Sequence, residues 1–131
     1  MSVVTKFEAE MIASMARGIV DDMQAGLFRS GYSSIIRESR DASCAVLLDD
    51  GSLAAQKVVL PIHIGAFPAV ISGVLARYPV EDIQDGDAFL SNSPWEGGSP
   101  HSPDFAVAVP VFCQEQLSLI HISEPTRLSG I

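Results

Sequence analysis

A histidine and an aspartate lie three residues apart in the loop-forming stretch 91–105, SNSPWEGGSPHSPDF. Flanking prolines exclude a helix, and in a straight strand the odd spacing would send His101 and Asp104 to opposite faces. In a proline-shaped turn the two side chains can converge. An imidazole and a carboxylate at one point suit a divalent cation such as manganese, iron or zinc. They suit general acid and base catalysis equally well, and a turn held by local hydrogen bonds stays open as a third interpretation.

A long amphipathic helix is predicted over residues 6–29, ahead of this loop. Thr5 and Glu8 have the spacing of a capping box, which marks a helix N-terminus. Gly18 and Gly26 weaken the helix, so we expect it to need a partner surface. We interpret its apolar stripe as core packing. The stripe comprises Phe7, Met11, Ile12, Met15, Ile19, Val20, Met23 and Leu27.

A β-hairpin, a second helix and further strands follow. The runs CAVLL and SLAAQKVVL flank an Asp-Gly step, which is a strong hairpin signal. The stretch 69–79 has a helical apolar period that stops at Pro79, and the stretches 88–90 and 105–112 are typical of strands. Pro110 inside the last strand implies an edge position or a bulge. The predicted fold class is therefore α+β, with the elements packed on a mixed sheet.

Two further groups of polar residues are interpreted conservatively from spacing alone. The run before the hairpin is interpreted as a solvated face rather than as part of an active site. A lone histidine between isoleucines, such as His63, is more often a packed and hydrogen-bonded residue than a ligand. The charged residues of the run are Arg37, Glu38, Arg40 and Asp41.

Composition limits the classes of partner. The chain has 131 residues and a formal net charge of −8, and its basic residues are scattered, so a nucleic-acid partner is not expected. Cys44 and Cys113 are far apart and form neither a zinc-binding pair nor a disulfide framework, which fits a reducing compartment. No apolar run approaches the roughly eighteen residues of a membrane span, and no signal peptide is recognisable. We expect a cytoplasmic protein without a membrane partner.

Three stretches of the chain resemble the N-terminal part of the hydantoinase B/oxoprolinase family. The stretches are YSSIIRESRDASCAVLLDDGSLAAQ, LPIHIGAFP and FLSNSPWEGGSPHSPDFAVAVPVF, and the resemblance covers roughly Lys6 to Gln116. It rests on motifs in the family's order: RD with SC soon after, PxHxG, and NxPxxGGxxHxPD. The family includes N-methylhydantoinase subunits, the C-terminal half of ATP-dependent 5-oxoprolinase, and alpha-type subunits of acetone and acetophenone carboxylases.

The resemblance implies roles for four residues. His101 and Asp104 match the family's metal ligands, and His63 and Asn92 match motif positions near the active centre, where we predict catalytic roles. In the family a further metal-ligating histidine follows the segment matched here, so we expect an incomplete coordination sphere and a fragment that is inactive alone.

The matching motif departs from the family at two positions. Ser93 stands where the family often has Asp, and Ser99 stands where it often has Thr. The loss of the first carboxylate argues against any role for position 93 in the site.

The resemblance also implies a reaction. The parent protein is expected to be a subunit of an ATP-dependent hydrolase that opens a cyclic amide such as 5-oxoproline or a hydantoin at a metal centre. By the same resemblance a hydantoinase A-type partner subunit or domain would use the ATP, and the absence of a phosphate-binding glycine loop from this sequence agrees with that division. ATP-dependent carboxylation of a ketone stays open within the same family, and a non-catalytic interaction module around Trp95 stays open outside it.

The chain is predicted to divide into two parts. Residues 1–116 are assigned to the N-terminal part of an incomplete hydantoinase B/oxoprolinase-like domain. Residues 117–131 resemble translated sequencing-adapter sequence, and we predict a non-native or truncated tail. Part of this tail, Leu117 to Ile122, has the pattern of one more strand, and no function is assigned to His121.

Overall fold

A computed structural model of the chain describes residues 4–57, 59, 61–63 and 65–125. The α+β prediction is confirmed, whereas residues 126–131 of the predicted tail lie outside the described part. In chain order the elements are α1 (Lys6–Ser30), α2 (Ser34–Arg37), β1 (Ala42–Leu48), β2 (Leu53–Lys57), a 3-10 turn (Pro61–His63), α3 (Ala66–Arg77), a second 3-10 turn (Val80–Asp82), β3 (Phe89–Ser91), β4 (Ala106–Cys113) and β5 (Gln116–Pro125).

The five described strands form one sheet in the order β2-β1-β5-β4-β3. Every described pairing is antiparallel, so the expectation of a mixed sheet is wrong. Local connections account for two of the four pairings, because short hairpins join β1 to β2 and β4 to β5 and a hairpin can only pair antiparallel strands. The strand predicted at 117–122 is present as β5, and it occupies the middle of the sheet between β1 and β4. The non-native or truncated origin of residues 117–131 stays a prediction.

Only one of the two hairpins carries a turn signal in the sequence. The predicted hairpin between β1 and β2 is confirmed, and its turn places Gly51 at a φ of +81°. The hairpin between β4 and β5 turns at Gln114 and Glu115, whose φ angles are 51° and 64°. Side chains rarely adopt this left-handed region, and Gln-Glu is not a turn signal. The second turn therefore could not be predicted from its residue types.

Pro110 sits in β4 where a proline can be accommodated. The edge strand β3 pairs only with Ala106, Val107 and Ala108, so β4 has no described partner on that side at Pro110. A register shift against β5 follows between Val111 and Phe112. The predicted edge position or bulge is confirmed in this local sense, because a missing N–H costs no sheet hydrogen bond at an open edge.

Helices cover both faces of the sheet. Alternate residues of β1 point to opposite faces, so Ala45 and Leu47 contact the α3 side while Cys44 and Val46 contact the α1 side. The core on the α3 side is the larger one and contains Phe67. Its buried members are Ala45, Leu47, Phe67, Val70, Ile71, Ala106, Ala108, Leu117, Ile120 and Ile122.

The cysteines lie in different environments, and neither forms a disulfide. Cys44 is buried beneath α1, and burial raises the pKa of its thiol to about 12. Cys113 is exposed at the end of β4. The expectation that the pair forms no disulfide is confirmed.

α1 begins as predicted but buries only part of its apolar stripe. The capping box is complete, because the Thr5 side chain accepts from the Glu8 N–H and the Glu8 carboxylate accepts from the Thr5 N–H. The C-terminal half packs on β1 and β2 through Val20, Met23 and Leu27. The N-terminal half exposes Phe7, Met11, Ile12 and Met15, and Ile19 just past the midpoint is exposed as well. Core packing is therefore wrong for this half, because no described residue covers it.

α1 has 25 residues, yet it is no membrane span. Among the described residues, no helix combines the length and the apolar character that crossing a bilayer requires.

Candidate metal centre

His101 and Asp104 converge at a tight turn. The Asp104 N–H donates to the His101 carbonyl over 3.0 Å, which closes the turn through Ser102 and Pro103. Their side chains meet with His101 Nε2 3.1 Å from Asp104 Oδ2. Asp104 is completely buried, whereas the His101 side chain is 42% exposed. The pair thus joins a buried carboxylate to an imidazole that solvent can reach.

The loop that carries this turn is fixed from two sides. The Ser99 hydroxyl donates to the carbonyls of His101 and Asp104, over 3.1 Å and 2.9 Å. Gly98 lies directly against α3 with a φ of +64°, and a Cβ at this position would stand 2.5 Å from the Ala69 carbonyl carbon. Sequence reasoning noted Ser99 only as a departure from the family. The signal that could have identified Ser99 is that serine and threonine, the two residue types at this motif position, both carry the hydroxyl that makes these two hydrogen bonds.

His63 approaches the same carboxylate from the 3-10 turn before α3. Its side chain is completely buried, and its Nδ1 lies 2.7 Å from the Ser43 hydroxyl oxygen on β1. Its other nitrogen, Nε2, lies 3.8 Å from Asp104 Oδ2. The packed, hydrogen-bonded environment expected from spacing is confirmed, and the histidine also lies at the predicted site. Ser43 was missed as a neighbour of the site, because no spacing rule links β1 to a turn twenty residues later.

Burial dominates the electrostatics of the two buried groups. It raises the pKa of the Asp104 carboxyl, against the opposing effects of His101 and His63. It lowers the pKa of the His63 imidazole, although the negative charge of Asp104 opposes the shift. Both groups therefore resist carrying a charge at this position.

The polar run before β1 separates into two environments. Asp41 is partly buried, and its negative charge partly opposes the lowering of the His63 pKa by burial and adds to the raising of the Asp104 pKa. The interpretation as a solvated face is therefore wrong for Asp41, which ends the run next to β1. It is confirmed for the exposed residues Arg37, Glu38 and Arg40.

A divalent cation fits the atoms that this arrangement leaves unsatisfied. Within the described residues, neither carboxylate oxygen of Asp104 has a hydrogen-bond partner, and neither does His63 Nε2. His101 Nε2 lies close to Oδ2 but forms no hydrogen bond with it, so the buried carboxylate is incompletely compensated, and a bound cation would offset that cost. The described chain groups no three His, Cys, Asp or Glu side chains as a ligand set. His101 and Asp104 would therefore supply two ligands, and the assignment of a metal to them stays a prediction.

Asn92 supports the loop from a position outside this cluster. Its side-chain amide donates to the Ser102 carbonyl over 2.9 Å, inside the turn that joins His101 to Asp104. It also lines a cavity of about 750 Å³ between α3 and β3. That cavity does not include His101 or Asp104. The structure thus gives Asn92 a supporting contact, and its catalytic role stays a prediction.

Ser93 and Trp95 occupy the outer part of the loop. The Ser93 hydroxyl accepts a hydrogen bond from the Glu96 N–H over 3.2 Å, a contact that is typical of serine in turns. Trp95 is 93% exposed. Neither side chain contributes to the His101–Asp104 pair.

Comparison with known proteins identifies the relatives of this architecture. The family model for hydantoinase B/oxoprolinase matches residues 5–124. 5-Oxoprolinase 1 of Arabidopsis thaliana is 37% identical over 100 residues, which cover 76% of this chain and 8% of the plant protein. The chain thus spans a small part of the length of this relative.

Two solved structures share the fold. A nucleotide-free structure of acetone carboxylase, reported for ATP-dependent acetone carboxylation, matches with a TM-score of 0.79 and 20% identity over 90% of this chain and 16% of that chain. The ATP-dependent caprolactamase of Pseudomonas jessenii matches with a TM-score of 0.69 and 21% identity over 90% of this chain and 21% of that chain. With the family match over most of its length, the chain belongs to the hydantoinase B/oxoprolinase family.

Proposed function

We propose that this chain forms part of an ATP-dependent hydrolase that opens a cyclic amide of the 5-oxoproline or hydantoin type. Membership of the family supports an enzyme of this kind. The identity of 37% with a 5-oxoprolinase favours a cyclic amide as substrate. The chain covers only 8% of that relative, so the proposal concerns the longer assembly in which this segment works.

One observation carries the proposal of a metal centre in this enzyme. The Asp104 carboxylate is completely buried, has no hydrogen-bond partner among the described residues, and lies 3.1 Å from His101 Nε2. Carboxylate oxygen and imidazole nitrogen are ligands for manganese, iron and zinc. His101 and Asp104 would hold such a cation. When bound, it would polarise a substrate oxygen and lower the pKa of a coordinated water.

The remaining residues of the site position these two ligands. Ser99 ties both backbone carbonyls, and Asn92 holds the turn between them through the Ser102 carbonyl. His63 is completely buried and faces Asp104, so in this conformation it would act through the carboxylate, and its catalytic role stays a prediction. The arrangement limits the freedom of the carboxylate before any ligand arrives.

ATP would be used elsewhere in the assembly. The sequence contains neither a P-loop nor a dinucleotide-binding glycine motif. We therefore assign ATP binding and phosphorylation of the substrate to a hydantoinase A-type subunit or domain. This chain would contribute the site at which the activated ring is opened.

A ketone carboxylase is the alternative within the family. The likeness to acetone carboxylase supports it through the fold alone, because the identity is 20%. An interaction module is the alternative outside catalysis, and the exposed Trp95 supports it because aromatic side chains often anchor interfaces. The hydrolase is preferred because the 37% identity is to an oxoprolinase.

The first experiment measures cation binding. Isothermal titration of the full-length protein with Mn²⁺ and Zn²⁺ compares the parent with Asp104→Asn and with a surface control, Asp85→Asn. We expect Asp104→Asn to weaken binding at least about 100-fold, since it removes the only carboxylate of the two proposed ligands and the loss of even an outer partner of a ligand typically costs about 10- to 100-fold. Asp85→Asn should bind like the parent. Equal affinity in all three proteins would contradict the metal centre and support the interaction module.

The second experiment separates hydrolase from carboxylase. The full-length protein is combined with its ATP-binding partner, and ADP release is measured with 5-oxoproline, a hydantoin, and acetone with bicarbonate. Ring opening that follows ATP turnover supports the proposal. ATP turnover that requires bicarbonate and a ketone would favour the carboxylase instead.

A further inference from the structure

The cavity of about 750 Å³ between α3 and the edge strand β3 lies next to the proposed centre. Volumes of this order are typical of sites that bind small molecules. Asn92 connects the two regions, because it lines the cavity while its side-chain amide donates to the Ser102 carbonyl between His101 and Asp104. A molecule bound in this cavity would therefore lie beside the turn that carries the proposed ligands.

Close packing of the backbone sets the shape of the cavity at one end. A Cβ on Gly73 of α3 would stand 3.1 Å from the Gly97 Cα and would overlap the Glu96 carbonyl oxygen. A Cβ on Gly97 would overlap the Ser91 hydroxyl of β3. Glycine at both positions therefore lets the helix, the loop and the strand meet. This end of the cavity is formed by packed backbone, as is usual for small-molecule sites that exist before the ligand binds.

The charged groups that line the cavity are one guanidinium and one carboxylate. Of its described lining residues only Arg77 is basic and only Glu96 is acidic, and Arg77 Nη1 lies 3.6 Å from Glu96 Oε2. Both side chains are largely exposed, at 74% and 81%, and exposed ion pairs contribute little to stability. Another carboxylate could therefore displace Glu96 at small cost. The planar guanidinium would bind it through two parallel hydrogen bonds.

Two aromatic rings line the cavity close to this guanidinium in the chain. The ring centroids of Tyr78 and Phe89 are 5.0 Å apart, and the ring planes are tilted by 46°. Tyr78 directly follows Arg77 at the end of α3. An aromatic surface beside a cation suits a small molecule that combines an apolar ring with a carboxylate.

We propose that Arg77 is a specificity-determining residue that holds the carboxylate of a cyclic amide in this cavity, with the ring of that substrate against Tyr78 and Phe89. The proposal rests on the proposed function and narrows its substrate class, because it favours a carboxylated ring such as 5-oxoproline over an uncharged lactam.

A purely structural role for Arg77 makes a different prediction. If the ion pair only ties the loop to α3, Arg77→Ala and Glu96→Gln break the same contact and should change ligand binding in the same direction. If Arg77 binds a carboxylate of the ligand, the two variants act in opposite directions, because Glu96→Gln removes a competing carboxylate. The sign of the two effects therefore distinguishes recognition from packing.

The direct test measures binding in the absence of ATP. Isothermal titration of the full-length protein compares L-5-oxoproline with 2-pyrrolidinone, which is the same ring without the carboxylate. We expect the parent to bind 5-oxoproline at least about 10-fold more tightly, because hydrogen bonds to a charged group are the strong ones. Equal binding of the two probes by the parent, or binding of neither, would overturn the proposal.

Variants of the ion pair provide the second test. Arg77→Ala should lose the preference for 5-oxoproline, and Arg77→Lys should keep part of it, because lysine retains the charge but not the planar fork. Glu96→Gln should bind 5-oxoproline more tightly than the parent does. Arg17→Ala, which removes an exposed arginine from α1, is the control and should match the parent. Parallel losses in Arg77→Ala and Glu96→Gln would contradict the proposal.

Turnover by the complete enzyme separates this proposal from the proposed function. With the ATP-binding partner present, Arg77→Ala should raise KM for 5-oxoproline about 10-fold and change kcat less, since the contact binds the substrate away from the reacting bond. If the enzyme opens 5-oxoproline and Arg77→Ala keeps the parental KM, the role of Arg77 fails and the hydrolase stands. If the enzyme opens no cyclic amide while 5-oxoproline binding depends on Arg77, the hydrolase fails and the carboxylate site stands.

Discussion

Two regions of this molecule reverse the usual distribution of polar and apolar groups. Around Asp104, a carboxylate and an imidazole are completely buried and lack hydrogen-bond partners among the described residues at three of their atoms. Along the first half of α1, large apolar side chains are exposed. Buried polar groups and exposed apolar patches are the informative exceptions in a folded protein. Both regions therefore indicate contacts that the sheet and helices described here do not supply by themselves.

The comparison also shows how differently the two regions are held. The site is fixed by the Ser99 bonds, the Asn92 bond and the close approach of Gly98 to α3. The exposed half of α1 is held by its capping box and by its continuity with the packed half. Mutations should therefore be costly near the site and nearly neutral on the exposed half of α1.

The largest effect is expected from the core beneath the site. Phe67→Ala should lower the free energy of unfolding by about 3–5 kcal/mol, because this ring is completely buried against the sheet. Phe7→Ala is the matched control, since Phe7 is 75% exposed, and it should change stability by less than about 0.5 kcal/mol. Chemical denaturation checks both. Similar losses in the two variants would mean that the first half of α1 is covered in solution.

The next effect concerns the glycine that seats the loop. Gly98→Ala should cost about 2–4 kcal/mol, since it combines a left-handed backbone with overlap against Ala69. Gly51→Ala is the control: it has a similar φ, but its added carbon would meet only the Ile71 side chain at 3.4 Å. It should cost about 1–2 kcal/mol. Thermal unfolding measures the difference in stability between the two variants. Equal losses of stability would contradict the close packing of Gly98 against Ala69.

The pH dependence of stability should report the buried imidazole. The folded-state pKa of His63 lies below the ordinary 6.5, so the unfolded chain binds a proton that the folded chain refuses. Stability from this group is therefore lost as the pH falls from 6.5 toward the folded-state pKa. Asp104, whose folded-state pKa is raised above 3.8, acts in the opposite direction: its contribution is present at low pH and is lost as the pH rises through that pKa.

Denaturation between about pH 7 and pH 5 in the presence of a chelator tests this expectation. His63→Gln should flatten the decline of stability toward acid. The partly exposed His101 supplies a control variant, His101→Gln, for the loss of an imidazole from the same cluster. A decline that is equally steep in His63→Gln and in the parent would place the proton-sensitive group elsewhere.

The smallest effect is expected on the exposed half of α1. Met15→Ala should alter the free energy of unfolding by less than about 0.5 kcal/mol, because Met15 is 62% exposed. Met23→Ala, eight residues further along the same helix, should cost more because Met23 packs against the core beneath α1. Chemical denaturation of the two variants shows where along α1 the helix begins to pack against the sheet. A larger loss from Met15→Ala than from Met23→Ala would show that this boundary is misplaced.

Local signals in the sequence predicted most elements but not their distribution over the surface. The capping box at Thr5, the Asp-Gly turn and the stop at Pro79 each act over a few residues, and each is confirmed. The four-residue helix α2 is too short to show a period, and Ser33 caps it in a run that looks irregular. Periodicity identified the stripe of α1, but a period says which residues share a face and not whether anything covers it.

The candidate site could be predicted only where its residues are close in sequence or belong to a recognised motif. His101 and Asp104 are close in sequence, and the turn between them brings them together as the prolines allowed. His63 entered through the family motif. Asp41 and Ser43 belong to the RD and SC motifs of the same resemblance, but their proximity to His63 depends on long-range packing that spacing alone does not predict.

The two cysteines differ in their accessibility to thiol-labelling reagents. The high pKa and burial of Cys44 withhold the thiolate that reacts with maleimides, whereas Cys113 stands exposed beside the β4–β5 turn. Within this segment, a fluorophore or spin label should therefore attach to Cys113 in preference to Cys44. Distances measured from that point could then locate a docked subunit relative to the sheet.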